Sequence, residues 1–225
     1  MSINTINGWR RVPAIVAANI WFKFFGAPAF IAVFFAVYIF LLHHPAYPVT
    51  IIPPLWLDNL IGIQPWTLPF YLSLWFYVSL PPLLMTTKSA IVEYGLWMGG
   101  LCITALTIFY FWPTAVGPVE TDWAQYPGMA FLKSMDAAGN ACPSLHVATA
   151  VFSWLWLRKY LPALGLGRLT DYLLTVWCAI IVYSTMATKQ HMALDVLAGI
   201  ILSLVFFLAF VRVRRNHPFS PASSI

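Results

Sequence analysis

The amino-acid sequence predicts an all-α fold: a polytopic membrane bundle of six transmembrane helices, with both termini in the cytoplasm. Of its 225 residues, 61% are hydrophobic and only 8% are charged, with a mean hydropathy of +0.79, which excludes a water-soluble surface. The apolar residues form six runs near the length, about 20 residues, that a helix needs to cross a hydrocarbon core. The basic residues lie almost entirely between alternate runs, as is typical of membrane proteins.

The predicted spans are Phe25 to His44, Trp66 to Thr86, Tyr94 to Trp112, Leu145 to Leu157, Tyr172 to Thr188 and Leu194 to Val211. The first follows a long polar and aromatic lead, so we interpret it as a retained span and not as a cleaved signal peptide. The fourth is short because Arg158 and Lys159 end its apolar run, although both side chains could reach an interface. One membrane domain over the whole chain is expected, with a lead of 1–24, a core of 25–211 and a tail of 212–225.

The basic residues predict the orientation of this bundle. With six spans, ten of the twelve fall on one side: Arg10, Arg11, Lys23, Lys88, Arg158, Lys159, Arg168, Arg212, Arg214 and Arg215. Only Lys133 and Lys189 fall on the other. Because cytoplasmic loops carry the excess of Lys and Arg, the side with ten should be cytoplasmic. The long loop from Pro113 to Pro143 and the junction of the last two spans should therefore face outward.

The sequence lacks the residues that several functional classes require. The three cysteines, Cys102, Cys142 and Cys178, are few and scattered, so they suggest neither a disulfide framework nor a metal site. There is no glycine-rich nucleotide loop and no exposed domain large enough to bind nucleic acid. The sequence therefore predicts no metal, no cofactor and no nucleic-acid partner, and the net charge of +5 is better explained by membrane topology.

The first motif with chemical content is Pro143-Ser144-Leu145-His146, immediately before the fourth apolar run. Ser144 is suited to cap the helix, and Pro143 sets its entry angle. A helix start offers unpaired N–H groups and the positive end of a dipole, which bind phosphate well, and His146 would face that anion. A capped helix with an interfacial histidine is an equally good explanation of these four residues alone.

The second motif is His191 and Asp195 at the start of the sixth run. Residues four apart lie on one face of a helix, so the carboxylate could accept from one ring nitrogen and leave the other as a nucleophile or base. Taken alone, such a pair is more often an ordinary polar pair. The functional interpretation gains weight because the positive-inside prediction, which makes no use of the histidines, places both motifs on the outer side.

Together the two motifs carry a family resemblance. PSLH followed by STMATKQHMALD resembles the second and third signatures of the phosphatidic acid phosphatase type 2 superfamily, whose third signature reads Ser-Arg, five residues, His, three residues, Asp. Ser184, His191 and Asp195 match that register. Leu145, Asn140 and the ending QHMALDVLAG further resemble the branch that contains inositol phosphorylceramide synthases and related bacterial membrane proteins. The resemblance extends from about Pro113 to Gly199, and the six-helix layout also fits it.

The resemblance implies a lipid phosphatase or phosphotransferase that works through a phosphohistidine. His191 would attack the phosphorus of a lipid phosphate, diphosphate or phosphodiester, Asp195 would orient it, and His146 would protonate the leaving group. Water or an alcohol acceptor would then take the phosphoryl group. The location implied is a bacterial inner membrane, with the site facing the periplasm or exterior and membrane lipids as the surroundings.

Several phosphate-binding cations of the family are missing at their usual places. Thr185 stands where the third signature has arginine, and Trp112 and Ala105 stand where the first signature has arginine and lysine. The remaining outer cations are Lys189, our first choice for the phosphate, and Lys133. Ser144, Asn140 and Thr185 could donate neutral hydrogen bonds, although a threonine near a helix end more often bonds its own backbone. This weaker positive field favours a phosphodiester or diphosphate.

Two other interpretations stay open. A lipid-phosphate transporter or scramblase that keeps the fold without the chemistry would explain the missing arginines. A purely structural membrane subunit would leave the register of the two motifs unexplained. The outer-loop carboxylates Glu120, Asp122 and Asp136 could position an acceptor hydroxyl, although loop carboxylates are usually just solvated.

Overall fold

A computed structural model describes residues 3–119, 121–134 and 139–216, and these are mostly helical. Two short 3-10 turns, Pro65–Thr67 and Trp123–Gln125, join the helices and strands. The helices are α1 Ile3–Ala17, α2 Ile20–His43, α3 Trp56–Leu60, α4 Leu68–Leu72, α5 Leu74–Leu84, α6 Lys88–Phe111, α7 Pro127–Ser134, α8 Leu145–Tyr160, α9 Arg168–Ala187 and α10 Ala193–Asn216; the strands are β1 Thr50–Ile52 and β2 Thr114–Val116. Of the outer-loop carboxylates, Glu120 and Asp136 lie outside the described residues.

Within the described residues, five helical segments are long and apolar enough to cross a membrane. They are α2, the segment Pro65–Leu84 that contains α4 and α5, α6, α9 and α10, and they correspond to five of the six predicted spans. The fourth predicted span differs. It forms α8, whose 16 residues extend about 24 Å, less than the roughly 30 Å of a hydrocarbon core. Arg158 and Lys159 lie in its last turn, which is why its apolar stretch is short.

Helix α8 is the centre of the bundle, with α5, α6, α9 and α10 packed around it. Its closest neighbour is α10, because Gly199 brings the two backbones together: a Cβ at Gly199 would lie 2.6 Å from the carbonyl oxygen of Ser144. One turn further along α10, Ser203 donates a hydrogen bond of 2.7 Å to the carbonyl of Ala148. This tight crossing places the start of α10 beside the start of α8.

The two strands lie at the same end of the bundle. Strand β1 pairs in parallel with β2, and Thr114 of β2 also pairs with Asn140 in the segment that leads into α8. The hydroxyl of Thr114 accepts a hydrogen bond of 2.8 Å from the N–H of Cys142. We call this end the histidine end; it consists of the strands, residues 139–146 and the turn 188–192.

The other end of the bundle, called here the opposite end, holds the charged pairs Arg158 with Asp171 and Arg214 with Glu93. The predicted lead contains helix α1, which the sequence analysis did not identify. Gly8 of α1 packs so closely against residues 164 and 165, between α8 and α9, that a Cβ would lie 2.4 Å from the carbonyl oxygen of Gly165. The lead is thereby attached to the opposite end.

Candidate functional site

His146 lies in the first turn of α8, as predicted. The helix begins because the hydroxyl of Ser144 accepts a hydrogen bond of 3.2 Å from the N–H of Val147. The imidazole of His146 stacks on the ring of Tyr71 from α4, with centroids 4.0 Å apart and an angle of 18° between the planes. Its Nε2 is buried and has no hydrogen-bond partner. A buried ring nitrogen without a partner is available to a ligand.

Ser144 serves the junction of α8 and α10. Its N–H donates to the carbonyl of Asp195 over 3.0 Å, while its hydroxyl caps α8, and its side chain is fully buried. Ser144 therefore joins the two motifs, and its predicted contact with phosphate stays a prediction. That junction brings together residues 51 positions apart in the sequence.

The turn between α9 and α10 presents His191. Helix α9 ends in a Schellman motif: the N–H of Lys189 donates to Met186, and those of Gln190 and His191 donate to the carbonyl of Thr185 over 3.0 and 3.1 Å. Lys189 takes the left-handed conformation that this motif requires, with φ of 57°. The chain reverses within these residues and brings His191 to the start of α10.

The tautomer of His191 follows from its contacts. Its Nδ1 lies 3.1 Å from the carbonyl oxygen of Ala141 and 3.6 Å from Oδ2 of Asp195. Since a carbonyl can only accept, Nδ1 carries the proton and donates to Ala141. Nε2 is then left with its lone pair. The carbonyl of Ala141, which the sequence did not reveal, therefore controls the tautomer more directly than Asp195 does.

Asp195 is fully buried, and its carboxylate interacts with two groups. Its Oδ2 accepts a hydrogen bond of 2.8 Å from the N–H of Met192 at the start of α10, and it also faces His191. Its Oδ1 is buried without a partner. The predicted pair of His191 and Asp195 is present, but at 3.6 Å it is an electrostatic contact and not a short hydrogen bond.

A polar cavity of about 240 Å³ opens beside His191. Besides His191 it is lined by Tyr38, Tyr71, Thr114, Ala115, Val116, Lys133, Asn140, Ala141 and Gln190. His146 does not line it directly, but it stacks on Tyr71, which does. The two imidazoles are close enough for the charge on one to act on the other.

The two lysines predicted to bind phosphate, Lys189 and Lys133, differ in their position relative to the cavity. Nζ of Lys189 donates to the carbonyls of Asp58 and Ile61, over 2.8 and 2.6 Å, so it points at the α3 segment and not into the cavity. Burial lowers the pKa of this ammonium, and the nearby Asp58 opposes the shift. Lys133 does line the cavity. The ammonium of Lys189, our first choice for the phosphate, is thus bound to the carbonyl of Asp58, 131 residues away, and its contact with phosphate stays a prediction.

The hydroxyl of Thr185 is also engaged elsewhere, since it donates to the carbonyl of Val182 over 2.8 Å. The alternative that a threonine near a helix end bonds its own backbone is thus the observed one. What Thr185 contributes to the site is its carbonyl, which holds Gln190 and His191. The prediction of a phosphate contact from its side chain does not fit this arrangement.

Two carboxamides face the cavity. Asn140, 8% exposed, has a buried Nδ2 without a hydrogen-bond partner, and so has Gln190 at Nε2. Asn140 was among the predicted ligands, whereas Gln190 was missed, although its place directly before His191 could have indicated it. Tyr71 gave no comparable signal, because an aromatic residue in an apolar segment is ordinary.

Other chemistries find less support among the described residues. Burial and the nearby Asp195 raise the pKa of the Cys142 thiol to about 11, so it is protonated and poorly nucleophilic at neutral pH. No three His, Cys, Asp or Glu side chains of the described ranges are grouped as a metal site requires.

Fold and site together define a class of protein: a helical membrane protein in which two histidine motifs, joined by the hydrogen bond from the Ser144 N–H to the Asp195 carbonyl, lie at the end of the bundle that contains a polar cavity. Residues 110–219, just under half of the chain, match the model of the PAP2 superfamily, the phosphatidic acid phosphatase type 2 group. This stretch contains both histidine motifs, so the resemblance is confirmed at the level of the superfamily match, which does not distinguish the inositol phosphorylceramide synthase branch. No curated protein and no solved structure matches the chain.

Proposed function

We propose that this chain is a member of the PAP2 superfamily and a membrane lipid phosphatase or phosphotransferase that forms a phosphohistidine. The observation that carries the proposal is the environment of His191. Its Nδ1 donates to Ala141, so in the neutral ring the lone pair is on Nε2, and His191 lines a polar cavity. A neutral imidazole with a fixed tautomer is a suitable nucleophile.

In the first step, Nε2 of His191 attacks the phosphorus of the lipid. The phosphorus–nitrogen bond forms while the bond to the leaving oxygen breaks, and His146 gives a proton to that oxygen. In the second step, water or an alcohol attacks the phosphorus, its proton passes to His146, and the bond to His191 breaks. His146 is thus protonated again after each cycle. Because its burial disfavours a charge, the scheme requires the anionic lipid phosphate to favour the charged form of His146 when it binds.

Asp195 stabilises the charge that develops on His191. When the imidazole gains a bond to phosphorus it becomes cationic, and Oδ2 of Asp195 lies 3.6 Å from its Nδ1. Because Asp195 is fully buried, this attraction is weakly screened by solvent. The same carboxylate anchors α10 through Met192, so the charge is held in position before the reaction starts.

The surroundings of the cavity suit a lipid. About 240 Å³ accommodates a phosphate headgroup and not a whole lipid, so the acyl chains would remain outside among the helices. Tyr38 of α2 lines the cavity, and α2 is apolar and largely exposed along its length. We infer that the headgroup enters beside α2 while its chains stay in the bilayer.

We also propose which side of the membrane the site faces. Lys133 and Lys189 lie at the histidine end, and the other ten basic residues belong to elements at the opposite end. The positive-inside rule then supports cytoplasmic termini, α8 crossing within the bundle as a sixth span, and a site on the outer face of a bacterial inner membrane.

A lipid-phosphate transporter or scramblase is the second candidate. It is favoured by one observation: among the described residues that line the cavity, Lys133 is the single Lys or Arg. A weakly charged cavity could release an intact headgroup as readily as it binds one. This candidate requires lipid movement without a covalent intermediate.

The two candidates are separated by reconstituting the full chain in vesicles with a panel of lipid phosphates, diphosphates and phosphodiesters. We expect release of free phosphate or of a new phospholipid, and loss of both in His191→Ala. His44→Ala, an exposed histidine at the end of α2, is the matched control and should keep activity. Lipid transfer between leaflets that continues in His191→Ala, with no product in either protein, would favour the transporter.

A further inference from the structure

The amide nitrogens of two carboxamides at the cavity make no hydrogen bond within the fold. Nδ2 of Asn140 and Nε2 of Gln190 are buried, line the same cavity as His191, and lack hydrogen-bond partners. Folded proteins rarely bury an N–H donor without a partner, because the donor loses its hydration and gains nothing. Two such donors at one cavity therefore indicate a ligand that offers acceptor oxygens.

Both donors are held next to the nucleophile. Gln190 directly precedes His191, and the carbonyl of Thr185 fixes both N–H groups within the Schellman turn. Asn140 directly precedes Ala141, whose carbonyl holds Nδ1 of His191, and it is paired with Thr114 of β2. The backbone contacts that position the imidazole thus also position the backbones of Asn140 and Gln190.

The charge at this cavity is low for a phosphate site. Among its described lining residues, Lys133 is the single Lys or Arg, since the ammonium of Lys189 is bound to the carbonyls of Asp58 and Ile61. The buried carboxylate of Asp195 adds a negative charge beside His191. Neutral amide donors satisfy oxygen atoms but neutralise little charge, so each further negative charge on the ligand would be poorly balanced.

We propose that Gln190 and Asn140 bind the two non-bridging oxygens of the phosphorus under attack, and that these neutral donors select a phosphodiester over a phosphomonoester. A phosphodiester has two such oxygens that share one negative charge. A phosphomonoester carries a third terminal oxygen and about 1.5 to 2 charges at pH 7. This inference rests on the proposed function, because it assumes that Nε2 of His191 attacks phosphorus.

With a phosphodiester, each bond that forms at phosphorus replaces one that breaks. The bond from Nε2 of His191 to phosphorus forms, the bond to the leaving alcohol breaks, and His146 supplies that alcohol with its proton. The other ester group stays on phosphorus through the intermediate. Water or an acceptor alcohol then takes the whole phosphoryl ester and returns a proton to His146, so no oxidant or further reactant is needed.

The test compares phosphatidic acid with phosphatidylmethanol of the same acyl chains, in vesicles that contain the full-length protein. These lipids differ by one methyl group and one charge, and both release diacylglycerol, so one product reports on both. We expect the wild-type protein to favour phosphatidylmethanol at least tenfold in kcat/KM. Gln190→Met should lower kcat/KM for phosphatidylmethanol about 10- to 100-fold, because it keeps the volume but removes the donor.

Two further variants sharpen the result. Gln190→Arg should shift the preference toward phosphatidic acid at least tenfold, because it adds the charge that a dianion needs. Gln125→Met, an exposed glutamine in the 3-10 turn Trp123–Gln125, is the control for the same chemical change and should alter neither value beyond twofold. A wild-type preference for phosphatidic acid, or a Gln190→Met protein within twofold of wild type, would overturn the inference while leaving the phosphohistidine intact.

Binding gives a readout that does not depend on turnover. Phosphatidylmethanol affinity is measured on the His191→Ala protein and compared with His191→Ala/Gln190→Met. We expect at least tenfold weaker binding in the double variant, and equal affinities would contradict the role of Gln190. Absence of turnover by wild type with both lipids would count against the proposed function, whereas the binding comparison would still decide whether Gln190 holds the phosphoryl oxygens.

Discussion

The two ends of the bundle differ in whether their buried and charged side chains have partners within the fold. At the opposite end, Arg158 pairs with Asp171 at 3.1 Å, and Arg214 pairs with Glu93. Lys23, buried at the start of α2, donates to the carbonyls of Ile15 and Leu83 over 2.8 and 2.9 Å. These charged groups are paired with one another or with the ends of neighbouring helices.

At the histidine end several buried polar atoms have no hydrogen-bond partner. Six buried side-chain nitrogen or oxygen atoms of the described residues lack a hydrogen bond, and four of them belong to Asn140, His146, Gln190 and Asp195. Charged side chains at one end are thus paired within the fold, whereas the other end contains donors and a carboxylate oxygen without a partner, which we propose contact a ligand. Substitutions at the histidine end should therefore lower activity, whereas those at the opposite end should lower stability.

The largest effect among supporting residues is expected at His146. His146→Ala should lower kcat about 10²- to 10⁴-fold for lipids with alcohol leaving groups, because no acid then protonates the leaving oxygen. For a lipid with a nitrophenol leaving group the loss should be much smaller, since that oxygen needs little protonation. An equal loss on both substrates would show that His146 does not act as the acid.

Asp195→Asn should lower kcat about 10²- to 10³-fold, a typical loss for one charge that stabilises a transition state. The amide oxygen can still accept from Met192, so α10 should stay capped and lipid affinity should change little. Measuring kcat and affinity separately checks this. A large loss of affinity with normal kcat would place Asp195 in binding and not in catalysis.

The two lysines of the histidine end should differ. Lys133→Met removes the cation that lines the cavity and should raise KM about tenfold. Lys189→Met removes the bonds to Asp58 and Ile61, so it should reduce kcat several-fold by loosening the turn that carries His191, with little change in KM. Steady-state kinetics on both variants would contradict this assignment if Lys189→Met gave the larger rise in KM.

The smallest effect is expected at the opposite end. Arg158 and Asp171 are about half and one third exposed, so Arg158→Ala should lower the free energy of unfolding by only about 0.2 to 1 kcal/mol. Activity per folded molecule should equal that of wild type. Denaturant unfolding together with kcat/KM checks both parts, and a clear loss of activity would mean that the two ends are coupled.

Much of the fold could be predicted because membrane spans are encoded locally. Apolar length alone identifies α2, α6, α9 and α10, and the same signal located the segment of α4 and α5. The same signal located the fourth predicted span, which forms α8, but this helix of 16 residues is too short to count among the five segments that could cross a membrane by length and composition. The helix in the lead was missed because its residues are amphipathic and not continuously apolar.

The site was predictable only in part, for a physical reason. His146, His191 and Asp195 sit in motifs whose spacing records their geometry, so their convergence could be expected. The position of the Lys189 ammonium depends on α3, more than 120 residues away, and no local pattern reports such a contact. The carbonyl of Ala141 is equally hidden, since every residue carries a carbonyl and only the fold decides which one meets an imidazole.

The most direct test is to look for phosphate on the histidine. Full-length protein is mixed with ³²P-labelled lipid, quenched in alkali within one turnover and examined for protein-bound label that is stable in base and lost in acid. We predict label in wild type and His44→Ala, none in His191→Ala, and localisation to the peptide that contains His191. Turnover by His191→Ala at near the wild-type rate, or label on another residue, would contradict the proposal that His191 is the nucleophile.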